Sequence, residues 1–233
     1  MDTDLDTVSA LLRQRDYDAA LSLLSGMIAE TPDWWNSHYL AGFAYRAKGD
    51  LRNAKRCYDR ALELNPDEAS VLLAAGIVEQ QAGRLDQAVA LLHKATGVNP
   101  QFAEAHNSLG LTLKMRGRPT EALQSYTNGV EALMDAVIGR IAHSPERENY
   151  MCDTVTTDGK KVPQMKPAIW KRVRGELKHN ILYSTFQNNM GACHADLGDV
   201  QQARSCFQKS IQFIPDGMDY EPPRIGLREL EGS

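Results

Sequence analysis

Two stretches, GDLRNAKRCYDRALELNP (Gly49–Pro66) and GRLDQAVALLHKATGVNP (Gly83–Pro100), lie 34 residues apart and match in register. Glycine opens each, proline closes each, and between them Ala54 answers Ala88, Tyr58 answers Leu92 and Ala61 answers Ala95. Apolar residues at helical spacing fill each stretch, so each reads as one amphipathic helix entered through a glycine turn. A fixed period of this length is the mark of a repeat architecture, and the rest of the chain is read against it.

The register extends in both directions. Pro32, Pro66 and Pro100 are spaced by 34 residues, and Pro215 closes a later copy. Gly42, Gly76, Gly110 and Gly191 share one position, and Gly49, Gly83, Gly117 and Gly198 a second. Ala20, Ala54, Ala88, Ala122 and Ala203 share a third. Leu24, Tyr58, Leu92, Tyr126 and Phe207 share a fourth. At a fifth, Ala61 and Ala95 are joined by Gly129 and Ser210, which are also small. Each unit is therefore two helices. The turns KGDL, AGRL, RGRPT and LGDV end the first helix on a left-handed glycine, with Asp or Thr available to cap the second. Small residues at the first and third positions let the two helices approach, the large residue at the fourth fills the groove between them, and proline stops the second helix.

This pattern resembles the tetratricopeptide repeat closely. The resemblance covers Trp35–Met134 as three good repeats and Ser184–Gly217 as another, with Met1–Trp34 a degenerate copy in which Val8 replaces the glycine. It implies an all-α fold, a right-handed superhelix (α-solenoid) of about five hairpins whose concave face is lined by the first helix of each pair. The expected organisation is one domain over 1–233: a degenerate repeat at 1–34, repeats at 35–68, 69–102 and 103–136, an extension with a basic loop at 137–183, a repeat at 184–217 and a terminal cap at 218–233.

The extension begins where Met134 replaces the closing proline. The apolar stripe runs on through Val130, Leu133, Val137, Ile138 and Ile141, predicting a helix from about Pro119 to His143. Asp158-Gly159 between Thr- and Val-rich flanks is a hairpin signal, one that also fits a plain loop. From Ala168 a stripe of Ile169, Val173, Leu177 and Ile181 predicts an unbroken helix to about Leu197. The two long helices overshoot their hairpins on the same side, an elongated pair forming a projection, with Trp170 expected against the opposite arm. Lys160, Lys161, Lys166, Lys171, Arg172, Arg174 and Lys178 give the stretch from Asp158 to Lys178 a charge of +5, leaving −9 for the remainder. The readings are a solvated face, or a basic contact for an acidic protein or phospholipid. Specific nucleic-acid readout ranks last, because few aromatics are interleaved and the whole chain is at −4.

The resemblance also implies where a ligand would lie. The family's contact positions on the first helix map to Asn36, Tyr39, Phe43 and Arg46, then to Ser70, Leu73, Ile77 and Gln80. In the next repeat they map to Glu104, Asn107, Leu111 and Lys114 beside Met115, and in the last to Thr185, Asn188, Ala192 and Asp196. A clamp for chaperone C-terminal carboxylates needs Lys and Arg where Asn36, Leu40, Ser70 and Ala74 stand, so that partner is excluded. The strip that remains is apolar, with Asn107, Asn188 and Asn189 beside it. Each large apolar side chain it buries contributes about 1.5–3 kcal/mol. An amphipathic helix or apolar peptide held at roughly micromolar affinity is expected, unless the first helix, with Leu11 and Leu12, covers the strip.

No nucleotide loop, hydrolase elbow or zinc-protease motif occurs, the six histidines are scattered, and Cys193 and His194 are adjacent on a helix and diverge. The expectation is a non-catalytic adaptor without metal or cofactor. Four cysteines with no CxxC pair read as reduced thiols. The acidic start and the lack of an 18-residue apolar run read as a cytoplasmic chain without signal peptide or membrane span. The alternative is an assembly subunit that homo-oligomerises through the projection or the segment DYEPPRIGLREL, whose Ile225, Leu227 and Leu230 can lie over the last repeat.

Overall fold

The computed structural model describes residues 2–155, 161–166, 168–178, 180–215 and 217–231. The chain forms two compact units, Met1–Pro100 and Gln101–Ser233. The first holds α1 (Asp2–Arg13), α2 (Tyr17–Glu30), α3 (Trp35–Ala47), α4 (Leu51–Leu64), α5 (Ala69–Gln81) and α6 (Leu85–Val98). The second holds α7 (Ala103–Met115), α8 (Pro119–Ala142), α9 (Arg147–Tyr150), β1 (Met151–Val155), β2 (Lys161–Met165), α10 (Ile169–Leu177), α11 (Ile181–Asp196), α12 (Val200–Gln212) and α13 (Pro222–Glu231).

Helices pair as hairpins: α1 with α2, α3 with α4, α5 with α6, α7 with α8 and α11 with α12. The turn within each is closed in the same way. Gly49, Gly83, Gly117 and Gly198 sit at φ +81°, +74°, +72° and +78°. The next amide then donates back to the preceding helix: Asp50 N to Tyr45 O at 2.9 Å, Arg84 N to Glu79 O at 2.9 Å, Arg118 N to Leu113 O at 2.9 Å and Asp199 N to His194 O at 2.9 Å. The degenerate first hairpin keeps this closure without the glycine, because Arg15 takes φ 61° and Asp16 N reaches Leu11 O at 3.0 Å. Asp16, Asp50 and Asp199 cap the following helices by accepting from Ala19, Asn53 and Gln202 amides. The AGRL and RGRPT turns differ from expectation: Arg84 and Arg118 occupy the caps without a side-chain cap bond, and Pro119 fills the first helical position of α8, where no amide is needed.

Within each hairpin the first glycine lies against the large residue sixteen positions on. A Cβ on Gly42 would fall 2.6 Å from the Tyr58 ring, on Gly76 2.7 Å from Leu92, on Gly110 2.5 Å from Tyr126, and on Gly191 2.7 Å from Phe207. All four large residues are buried. In the first hairpin Val8 stands in the glycine's place and packs with Leu24, Met27 and Ala41.

A buried acid also ties the first unit. The Glu79 carboxylate, 2% exposed, accepts from Lys55 Nζ of α4 at 2.9 Å and from Arg84 Nε, the cap of α6. Burial pushes this carboxyl up, but the hydrogen bonds from Arg84 and Lys55 outweigh it and hold Glu79 below the usual carboxylate range.

The second unit departs from a plain repeat at Met134. With no proline there, α8 runs for 24 residues, about 36 Å, ending one residue short of the predicted His143. The predicted unbroken return helix is two helices instead. The first ends at Leu177, and the Asn180 side chain accepts from Leu182 N at 3.0 Å and starts α11 afresh. Between them and α8, β1 and β2 pair antiparallel, with Met151 opposite Met165 and Val155 opposite Lys161. This settles the hairpin alternative, although Asp158-Gly159 and Lys160 lie outside the described residues. The α10 helix packs on α8 and buries Ile169, Val173 and Leu177. Trp170 does not: it is 43% exposed. It sits 100° around the helix from Ile169, off the buried stripe. The last helix, α13, covers α12 and α11 with Pro223 and Gly226 buried, while Ile225 stays 44% exposed.

Gly110→Ala is expected to lower the melting temperature, at a cost of about 1–3 kcal/mol, because its methyl meets the Tyr126 ring. Gly97→Ala in α6, where a Cβ meets nothing within 4 Å, is expected to raise it, with a gain in stability of about 0.5–1 kcal/mol. For Glu79, a depressed carboxyl contributes stability that is present above its unfolded pKa and lost as pH falls through the folded one. Glu79→Gln is therefore expected to cost about 1–3 kcal/mol at pH 7. In urea titrations its deficit should shrink as pH falls below about 4.

Candidate functional site

In the first unit the family's contact positions come together on α3 and α5. Asn36, Tyr39, Phe43 and Arg46 occupy one face of α3 at steps of three, four and three, all half-buried. Leu73 and Ile77 stand half-buried on the neighbouring α5. The aromatic rings are braced from behind: Tyr39 lies 6.3 Å from Trp35 and 6.0 Å from the buried Tyr58. Arg46 sits with its guanidinium carbon 5.6 Å from the Phe43 ring centre, a cation–π contact that fixes a positive charge beside the strip. Burial pushes the Tyr39 hydroxyl up, with Arg46 opposing, so it stays a neutral donor at physiological pH. The same cause raises Tyr58 to about 12.

A cleft of about 540 Å³ opens here, lined by Ser9, Leu12 and Arg13 of α1 and by Tyr39, Leu40 and Phe43 of α3. The sequence left open whether α1 covers the strip. It forms a side wall: Val8 and Leu12 pack into the core beneath, and Tyr39 and Phe43 stay half-exposed. No periodicity argument distinguishes a wall from a lid, because both bury the same leucines.

In the second unit Asn107, Leu111 and Met115 line α7, with Leu111 39% and Met115 54% exposed. The asparagines there are joined to one another. Asn189 Nδ2 donates to Asn107 Oδ1 at 3.1 Å, and Asn188 Nδ2 lies 3.5 Å from Asn189 Oδ1. Lys114 of α7 pairs with Asp196 of α11 at 3.5 Å. A second cleft, about 320 Å³, lies between Lys114, Asn188 and Asp196 and the inner side of α13 at Ile225 and Leu230.

Of the basic residues, Lys171, Arg172, Arg174 and Lys178 are exposed on α10, and Lys166 Nζ donates to Glu148 O. Lys160 and the Lys161 side chain lie outside the described residues. Among the described residues no group of three or more His, Cys, Asp or Glu is placed to hold a metal, and no helix is long and apolar enough to cross a membrane. Cys57, Cys193 and Cys206 are free thiols, and burial pushes each up, Cys193 to about 11. His194 turns away from Cys193, toward Asp199 at 3.9 Å.

Comparison with known proteins agrees with the geometry. Tetratricopeptide-repeat family models match residues 35–68, 73–136 and 184–216. The chain belongs to the tetratricopeptide-repeat family, whose repeats serve in general as protein–protein interaction modules. It is 33% identical over 82 residues to the small glutamine-rich tetratricopeptide repeat-containing protein 2 of Mycosarcoma maydis, covering 35% of this chain and 23% of that protein. It is 25% identical over 221 residues to the human protein O-mannosyl-transferase TMTC1, covering 82% of this chain and 24% of that one. The chain thus spans under a quarter of these relatives' length. Among solved structures, MamA superposes with a TM-score of 0.63 at 14% identity, over 88% of this chain and 93% of that one. YrrB, described as a repeat protein with an unusual peptide-binding site, gives 0.62 at 16% identity, over 98% and 90%. These likenesses establish the α-solenoid repeat fold.

With a thiol raised to about 11, under about 1% of Cys193 is ionised at pH 8. In iodoacetamide labelling of the native chain read by mass spectrometry, Cys57, which is half-buried, should react before the fully buried Cys193 and Cys206.

Proposed function

We propose that the chain is a non-catalytic adaptor that holds a peptide or helix of a partner protein on the first-helix face of its repeats, with Asn36, Tyr39, Phe43, Arg46, Leu73 and Ile77 as the principal contacts. The observation that carries this is the cleft beside Tyr39 and Phe43. Two large aromatic side chains there are left half-exposed yet held rigid by Trp35, Tyr58 and Arg46. Rigid aromatics lose little entropy on binding and are the usual anchors of an interface. Asn107, Leu111, Met115 and Asn188 form the corresponding contacts in the second unit. Their asparagine ladder exchanges one set of hydrogen bonds for another when a peptide backbone arrives. The peptide-binding site described for YrrB, which has the same fold, supports the reading by analogy.

A second reading is self-association. Ile225 on the terminal helix and Met218 before it, 44% and 46% exposed, favour it as apolar side chains left open to a second copy. Sedimentation across a concentration series separates the two, since the adaptor reading expects a monomer that binds peptides.

The test of the adaptor is to pan a displayed random-peptide library on the full chain and measure recovered peptides by calorimetry. Peptides with apolar anchors are expected, and Tyr39→Ala, Phe43→Ala and Leu73→Ala should each weaken them about 10-fold or more. Recovery of no peptide, or affinities unmoved by all three substitutions, would overturn the reading.

A further inference from the structure

The geometry points to a second docking surface, on α10, that takes an acidic peptide segment of a partner protein carrying an apolar side chain beside its carboxylates. We infer this from how α10 sorts its residues, independently of the cleft at Tyr39.

At 100° per residue, Ile169, Val173 and Leu177 fall within one sector, and all three are buried, 0–3% exposed. Trp170, Lys171, Arg174 and Lys178 fall within an adjacent sector of about 100°, and all four are exposed. The helix's one acid, Glu176, lies on the far flank. There it accepts from Arg140 of α8 at 3.2 Å and sits 3.4 Å from Arg172. Glu176 thus neutralises cations away from the Trp170 face and places no carboxylate on it. Lys171 and Arg174 carry no ion pair among the described residues.

Trp170 is the second observation. An indole 43% exposed, on a helix whose buried stripe is already filled by Ile169, Val173 and Leu177, leaves a large part of its ring open to a partner. Tryptophan flanked by cations is the composition of an interface anchor: the ring supplies apolar area and the charges supply steering. The remainder of the chain carries −9 against +5 for this stretch, so the projection stands out as a region of net positive charge that attracts acidic groups.

Three partner classes have this charge, and two fit poorly. A bilayer surface needs a broad apolar face to enter the headgroup region, but Ile169, Val173 and Leu177 are spent against α8 and leave Trp170 alone. Single-stranded nucleic acid needs a series of stacking rings along a basic groove, and this face has one. An acidic peptide needs one apolar contact and a few cations at short spacing. Lys171 and Lys178 are seven residues apart, about 10 Å along the helix.

The test uses the full chain and a fluorescein-labelled peptide of alternating Glu pairs and Leu, followed by anisotropy at low and high salt. Saturable binding that weakens with salt is expected. Lys171→Glu/Arg174→Glu and Trp170→Ala should each weaken it about 10-fold or more, with helical circular dichroism retained and with Tyr39→Ala without effect. A Glu→Gln version of the peptide should not bind, and a Leu→Ser version should bind about 10-fold less. The proposal is overturned if the acidic peptide does not saturate, or if both α10 variants bind it as wild type does. It is also overturned if only vesicles containing phosphatidylserine are bound, which would make the face a membrane contact. Loss with Tyr39→Ala alone would move the peptide to the cleft and likewise sink it.

Discussion

Four of the five helical hairpins depend on how closely their two helices approach, and a missing side chain sets that distance. Where a glycine faces Tyr58, Leu92, Tyr126 or Phe207, the ring or branched chain occupies the space a methyl would take. The large residue is thereby buried against backbone, which gives it dense packing on a face that would otherwise hold a void. In the first hairpin Val8 stands at the glycine position and packs with Leu24 in the core. Because the approach is fixed hairpin by hairpin, the first helix of each pair presents the same set of positions outward. A site made of those positions needs no loop to build it.

This also explains how much could be read from residues alone. A glycine and a large residue at a constant separation of sixteen are visible in one dimension, and so are the left-handed turns and the closing prolines. The length of α8 was legible for the same reason, since it followed from a proline that is absent at Met134. What escaped were features that leave the apolar phase intact. The break at Asn180 falls between Leu177 and Ile181, four residues apart, so the stripe reads through it as if the helix continued. Only the Asn itself, a good helix starter, marked the place.

The site was legible in position and less so in state. Tyr39 and Phe43 fell on the expected face, but the periodicity is silent on whether α1 lies beside them or over them. Trp170 is expected against the opposite arm, yet its neighbour Ile169 holds the inward position, and one residue's rotation puts the indole off the buried stripe. The Asn107–Asn189 bond joins residues 82 apart and has no local signal at all.

The run of α8 through Met134 has a consequence for how the second unit comes apart. One helix belongs at its start to the hairpin with α7 and α11, and further along to the packing against α10. Its backbone hydrogen bonds form one uninterrupted ladder, so neither part has a joint at which to open alone. The far half of α8 and the hairpin at its start should therefore exchange their amide protons as a single cooperative block, whereas the α10 backbone, separated by the stop at Asn180, has an opening of its own.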